Sequence, residues 1–291
     1  MKKFALMLLV GLCLGGVVIA QPSARTRYGS NRAAGHTFVH DGVRLYYEVY
    51  GRGEPLLLVH GNGGSIADVS AQIAYFRRRY KVIAMDSRDQ GKSADTDSKI
   101  TYEKMTDDLA ALLDHLKVGP VDVLGWSDGG IEALLLGIKH PEKVKKIAAM
   151  AANLTPAEDA LEPAIIGLIK SMVSDMPADQ RETPQGRRDL KVTSMMLSEP
   201  NIDFKELESI KAPTLVLAAD HDAIRVKHTV EIYLHIPNSQ LVIFPGATHM
   251  IPFDDPVLFN WTVDRFLRTP FRKVDMLNDT IKSLEKMRTG K

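Results

Sequence analysis

Val121-Asp122-Val123-Leu124-Gly125-Trp126-Ser127-Asp128-Gly129-Gly130 passes from an apolar, β-branched segment straight into small residues, with one serine at the break. The pattern predicts a strand feeding a helix through a very tight turn. G-x-S-x-G fits a nucleophile elbow, in which a serine at a strained backbone position holds its hydroxyl clear of the sheet edge. Gly125 and Gly129 have a steric reason to flank Ser127, since a side chain at either would meet the neighbouring strand or helix. A glycine-rich turn without chemistry shares this local pattern, so the reading depends on whether the serine has partners elsewhere in the chain.

Upstream, Thr37–His40, Asp41-Gly42 and Val43–Tyr50 read as a hairpin with a D-G turn. Pro55–Val59 is uninterrupted and apolar, as in a strand buried on both faces, and it ends at His60-Gly61-Asn62-Gly63-Gly64. A helix is predicted over about 65–79, then a strand Lys81–Met85 ending in Asp86–Ser93, and a helix over 101–116 from the spacing of Met105, Leu109, Leu112, Leu113 and Leu116. Downstream come a helix over 130–140, a strand over 144–152, a strand over 213–219, a helix near 226–235, a strand over 240–244 and a helix near 256–267. Such alternation calls for an α/β fold with a mainly parallel central sheet flanked by helices and right-handed crossovers. The alternation stops over 154–204, where prolines punctuate helical pieces, so an inserted helical cap is expected there between core segments 37–153 and 205–268. Val274, Leu277, Ile281 and Leu284 recur at steps of three and four in the tail 269–291. An amphipathic helix is expected there, to dock on the domain or to pair with another copy.

A serine hydroxyl needs a base, and the base needs an acid that holds its tautomer. In this sheet type the reactive loops leave the carboxyl ends of the strands. Of nine histidines, His36 and His40 flank the first strand, while His115, His140, His228 and His235 fall on or at the ends of helices. His60 belongs to the glycine turn, where a structural hydrogen bond is its expected role. His249 follows the last strand in a glycine-containing loop, Phe244–Met250, and is the candidate base. Ala219-Asp220-His221-Asp222 follows the preceding apolar strand. Asp222 is taken as the acid because it lies past the strand end, with Asp220 holding the turn. A metal site at this Asp-His-Asp run lacks any other ligand cluster, so no metal is expected. The backbone N–H groups of Asn62 and Asp128 are the candidate oxyanion donors. A phosphate-binding role for HGNGG lacks the lysine and hydroxyl of a P-loop. No cofactor is implied.

The elbow, the HG loop, the D-x-R-x-x-G-x-S turn at Asp86–Ser93, the acid loop and the terminal histidine occur in the order Ser127, Asp222, His249. On these motifs, over about residues 37–268, the chain resembles the α/β-hydrolase superfamily, which implies a Ser-Asp-His triad and hydrolysis of a small molecule. Gly125–Gly130 further resembles the elbow of the valacyclovir hydrolase (biphenyl hydrolase-like) esterases. That resemblance implies a role for the acid after the nucleophile, here Asp128, in recognising an α-amino group on ester substrates. Asp128 and Trp126, on either side of the serine, are the candidate substrate-binding residues. Asp128 pointing away to cap a neighbouring turn is the alternative. HGNGG departs from that group and is a common form among general esterases and lactonases. The expected activity is that of a serine esterase acting on small carboxylic esters, aminoacyl esters among them. Lactonase, amidase or cofactor-free haloperoxidase action, or ligand binding without catalysis, are the alternatives.

The bulk numbers fit this reading. The chain has 291 residues and a formal charge of +1, so no electrostatic case exists for nucleic acid or a membrane surface. Lys2 and Lys3 precede an apolar run, Phe4–Ile19, and then Ala20-Gln21-Pro22. Residues 1–20 read as a signal peptide cleaved after Ala20 and followed by a linker over 21–36, with an uncleaved anchor as the alternative. Export to the periplasm or medium, without stable membrane association after cleavage, is expected. Cys13, the only cysteine, would leave with the leader, so a mature disulfide is not expected.

Overall fold

The computed structural model describes residues 26–94 and 99–289, so the expected leader and Cys13 lie outside the described residues. Chain order is β1 (Gly35–His40), β2 (Val43–Tyr50), β3 (Glu54–Val59), α1 (Ser70–Phe76), β4 (Tyr80–Met85), α2 (Tyr102–His115), β5 (Val121–Trp126), α3 (Asp128–Lys139) and β6 (Val144–Met150). Then follow α4 (Pro163–Ser174), α5 (Ala178–Arg181), α6 (Pro184–Met195), β7 (Thr214–His221), α7 (Val226–His235), β8 (Ser239–Thr248), α8 (Ile251–Asp254), α9 (Pro256–Arg268) and α10 (Met276–Thr289). The strands form one sheet in the order β1-β2-β4-β3-β5-β6-β7-β8. Only the β1/β2 and β2/β4 pairs are antiparallel.

Alternating side chains of the parallel strands feed two cores. Leu57 and Val59 join Val123 and Leu109 on one face, while Leu56 and Leu58 join Ile73 and Phe259 on the other. The unbroken apolar runs are therefore buried on both sides, as the sequence predicts. Both residues of the D-G turn have positive φ, Asp41 at 48° and Gly42 at 73°, which suits a tight hairpin. α1 is shorter than expected because Asp68 accepts from the Ser65 N–H at 2.7 Å and folds 65–69 into turns before the helix starts. α4, α5 and α6 fall between β6 and β7 within the stretch expected to form the cap.

β8 is longer than its apolar run suggests, extending through Gly246 to Thr248. After an irregularity between Ala219 and His221, His221 pairs with Thr248 in parallel register. That register makes Asp222 and His249, the next residue on each strand, near neighbours. The stretch read as a linker is fastened where it is described. Buried Glu48 accepts from the backbone N–H of Gly29 at 2.8 Å and Asn31 at 3.0 Å, and from the Tyr46 and Tyr50 hydroxyls at 2.6 and 2.7 Å.

α10 behaves differently from the docked tail that its stripe suggests. None of its residues is buried, and Leu277, Ile281 and Leu284 are exposed. Local interactions hold the helix: Arg272 pairs with Asp279 at 2.6 Å, and Asp275 accepts from the Asn278 N–H at 3.0 Å. Among the described residues, no helix is long and apolar enough to cross a membrane. A helix that buries nothing adds little to global stability, so a chain ending at Lys273 should melt within about 2 °C of the full chain in a calorimetric scan. A fall of more than about 5 °C would contradict the undocked helix.

Candidate active site

Ser127 has φ 58° and ψ −121°, a strained conformation for a residue with a side chain, and it directly precedes α3. Glycine contacts force that geometry. A Cβ on Gly125 would lie 1.9 Å from the Gly129 carbonyl oxygen, and one on Gly129 would lie 2.3 Å from the Val59 oxygen. α3 thus approaches β5 and β3 more closely than any larger residue would permit. The Ser127 N–H donates to the Met150 carbonyl at 2.8 Å, which anchors the elbow to β6.

His249 and Asp222 meet Ser127 there. His249 Nε2 lies 3.0 Å from Ser127 Oγ, and Nδ1 lies 2.7 Å from Asp222 Oδ1. The Asp222 carboxylate also accepts from the Ala219 N–H at 3.0 Å and the Ile224 N–H at 3.2 Å. Held as an acceptor on Nδ1, Asp222 puts the imidazole proton on that nitrogen and leaves Nε2 free to take the serine proton. Asp220 turns the other way, accepting from the N–H groups of Gly246 at 2.8 Å and Ala247 at 3.1 Å. Those donors hold its carboxyl below the usual carboxylate range. One acid orients the base and the other shapes the loop that carries it. Because the two carboxylates diverge, the Asp-His-Asp run does not converge on a metal.

Gly61 packs against the elbow, where a Cβ on it would lie 3.2 Å from Ser127 Cβ. Its carbonyl accepts from His60 Nδ1 at 2.8 Å and from the Gly64 N–H at 3.1 Å. His60 Nε2 in turn accepts from the Ser87 N–H at 3.0 Å, so this histidine is structural. In a trans peptide the N–H points opposite to the carbonyl, so the pinned Gly61 oxygen fixes where the Asn62 N–H is aimed. The Asp128 N–H is among the first of α3, which have no partner within the helix. The Asp128 amide adjoins the serine in the chain, and the Asn62 amide follows a glycine packed against the elbow.

The Asp128 side chain faces the HGNGG loop. Its carboxylate accepts from Asn62 Nδ2 at 2.8 Å and bears on the Tyr102 hydroxyl. Burial pushes its pKa up, only partly offset by those two donors. Glu132, one helical turn further along α3, is also buried, and its Oε2 has no hydrogen-bond partner among the described residues. Burial and the neighbouring Asp128 charge hold the Glu132 carboxyl well above its ordinary value. Asn62 Nδ2 also donates to the Val192 carbonyl of α6 at 3.2 Å, and Lys191 pairs with Asp89 at 2.6 Å. The cap is therefore fastened beside the serine. Trp126, a candidate substrate contact, donates from Nε1 to the His249 carbonyl at 2.9 Å. Sequence reading singled out neither Tyr102 nor Glu132. The one available signal was Glu132, an acid four residues after Asp128 on a helix whose other faces are apolar.

The family model for the alpha/beta hydrolase fold matches residues 54–188. The chain is 28% identical over 247 residues to the mouse (Mus musculus) serine hydrolase BPHL, spanning 78% of this chain and 84% of that protein. It is 26% identical to the 3-oxoadipate enol-lactonase 2 of Acinetobacter baylyi, over 80% of this chain and 96% of the relative. Its fold is shared with the solved enol-lactonase of Burkholderia xenovorans LB400, with a TM-score of 0.67 at 20% identity, covering 80% of this chain and all of the other. Sheet order, strand-end loops and these likenesses together show that the chain has the α/β-hydrolase fold.

Proposed function

We propose that the protein is a serine hydrolase that cleaves small carboxylic esters through an acyl-enzyme on Ser127. The observation that carries this reading is the continuous relay from Ser127 Oγ to His249 Nε2 at 3.0 Å and from His249 Nδ1 to Asp222 at 2.7 Å. Oγ attacks the ester carbonyl while its proton passes to Nε2, and the Asn62 and Asp128 amides hold the resulting oxyanion. Collapse expels the alcohol, which takes the proton back from Nε2. Water then attacks the acyl group, gives a proton to Nε2, and the carboxylic acid leaves as Ser127 regains its hydrogen. Lactones are cyclic esters opened by the same steps, and the likeness to a relative named an enol-lactonase favours including them among test substrates. The apolar leader, acting as a signal peptide, would place this enzyme outside the cytoplasm.

Among esters, the proposal favours those with a free α-amino group. Asp128 is a buried carboxylate next to the nucleophile, and its partners, Asn62 and Tyr102, are neutral donors. An ammonium group would neutralise it where an anionic substituent would be repelled.

A fluorophosphonate probe should add once to the wild type and not to Ser127→Ala, with kcat on an activated ester falling about 10⁴-fold or more in the variant. A wild type without adduct, or equal labelling of both, would overturn the triad reading. For Asp128→Asn, kcat/KM on an aminoacyl ester should drop about 10- to 100-fold, the range of a charge-assisted hydrogen bond, while the desamino analogue changes by less than about 3-fold. Equal losses on both substrates would remove the amine preference. The pH dependence has a defined sign. Because burial raises the Asp128 pKa, the amine preference should be complete well above that value and fade as pH falls through it, above the range of a free aspartate.

A further inference from the structure

We propose that Trp126 is a positioning residue for the base: its indole N–H fixes the backbone of His249, and its ring fixes the face of the imidazole. The inference rests on the triad reading above. Trp126 is the last residue of β5 and the one before Ser127, in register with Met150 of β6. Its Nε1, which can only donate, gives its hydrogen to the His249 carbonyl at 2.9 Å. The indole and imidazole centroids are 5.4 Å apart, and on its other side the indole packs edge-on against Phe253 of α8 at 4.7 Å. A Cβ on Gly61 would come within 2.8 Å of the indole, so the same ring also abuts the oxyanion loop.

Other contacts hold the loop on either side, and the Met250 N–H of the 249–250 peptide donates to Thr248 Oγ1 at 3.2 Å, which leaves the His249 carbonyl to Trp126. Asp220 secures Gly246 and Ala247, upstream of the histidine. Downstream, the N–H groups of Phe253 and Asp254 donate to the Met250 carbonyl. Asp222 holds the imidazole at Nδ1 but exerts no direct hold on the peptide of residue 249. The indole N–H holds the carbonyl end of that peptide. Consecutive residues 126 and 127 therefore grip opposite ends of one histidine, the carbonyl and Nε2. This sets the separation of nucleophile and base from the β5 side. A base that must accept and return a proton twice per turnover loses rate steeply when misplaced by about 1 Å.

Trp126→Phe keeps an aromatic ring but removes the N–H. With p-nitrophenyl acetate as the probe, kcat should fall about 10-fold or more while KM stays within about 2-fold, and the fluorophosphonate labelling rate should fall in parallel. A wild type that labels, alongside a Trp126→Phe variant with unchanged kcat and labelling rate, overturns this proposal and leaves the triad intact. A wild type that takes no label overturns the triad reading and the proposal with it. Should Trp126→Phe not fold, a second measurement decides. Trp261 is the only other tryptophan and lies exposed on α9, so in Trp261→Phe the emission reports Trp126 alone. An imidazolium in contact quenches indole emission, so the signal should drop with falling pH at the midpoint of the acid limb of kcat/KM. His249→Gln should abolish that titration, whereas a pH-independent emission in Trp261→Phe overturns the proposal.

Discussion

The close approach of α3 to the sheet at Ser127 is the constraint on which the rest of the site depends. Two glycines permit it, since a Cβ on Gly125 would lie 1.9 Å from the Gly129 oxygen and one on Gly129 would lie 2.3 Å from the Val59 oxygen. The positive φ of Ser127 follows from that compression, and such strain costs about 1–3 kcal/mol. Packing on both sides and the Ser127 N–H bond to the Met150 carbonyl hold the backbone in that strained state. The same geometry puts the serine at the N-terminus of α3, where unpartnered N–H groups gather.

The polar side of the site has its own logic. Asp128 and Glu132 are two buried acids on one helix, and burial raises the pKa of both. Like charges in a dry setting disfavour joint ionisation. The arrangement is tolerable because Asn62 and Tyr102 donate to Asp128 and because Glu132 is held toward its neutral form. The Asn62 side chain joins the Asp128 carboxylate to the Val192 carbonyl of α6. The HGNGG loop is thereby tied to α6.

Much of this was legible in the chain because the informative features are local. Strand-end position marked Ser127, His249 and the Asp220–Asp222 pair, and the register of His221 with Thr248 explains why neighbouring strand ends bring acid and base together. The choice between Asp220 and Asp222 followed from which one lies past the strand end, and the structure turns the first to Gly246 and the second to His249. The bond from Trp126 to the His249 carbonyl could not be read from the sequence because its partner is 123 residues away, and no local pattern reports such a bond. Tyr102 was invisible for the same reason, looking from sequence like one more apolar position of α2. The tail shows the opposite limit. Its steps of three and four correctly specify a helix, but periodicity states only that a face is apolar and not what covers it.

The central claim is that Ser127 Oγ becomes covalently acylated with His249 as its base. Acid-quenched reaction with p-nitrophenyl acetate, followed by peptide mass mapping, tests it most directly. The account predicts a stoichiometric burst of p-nitrophenol and an acetyl group on the peptide containing Ser127, both lost in His249→Ala. Turnover with no acyl group on that peptide, or acylation elsewhere that survives Ser127→Ala, would contradict it.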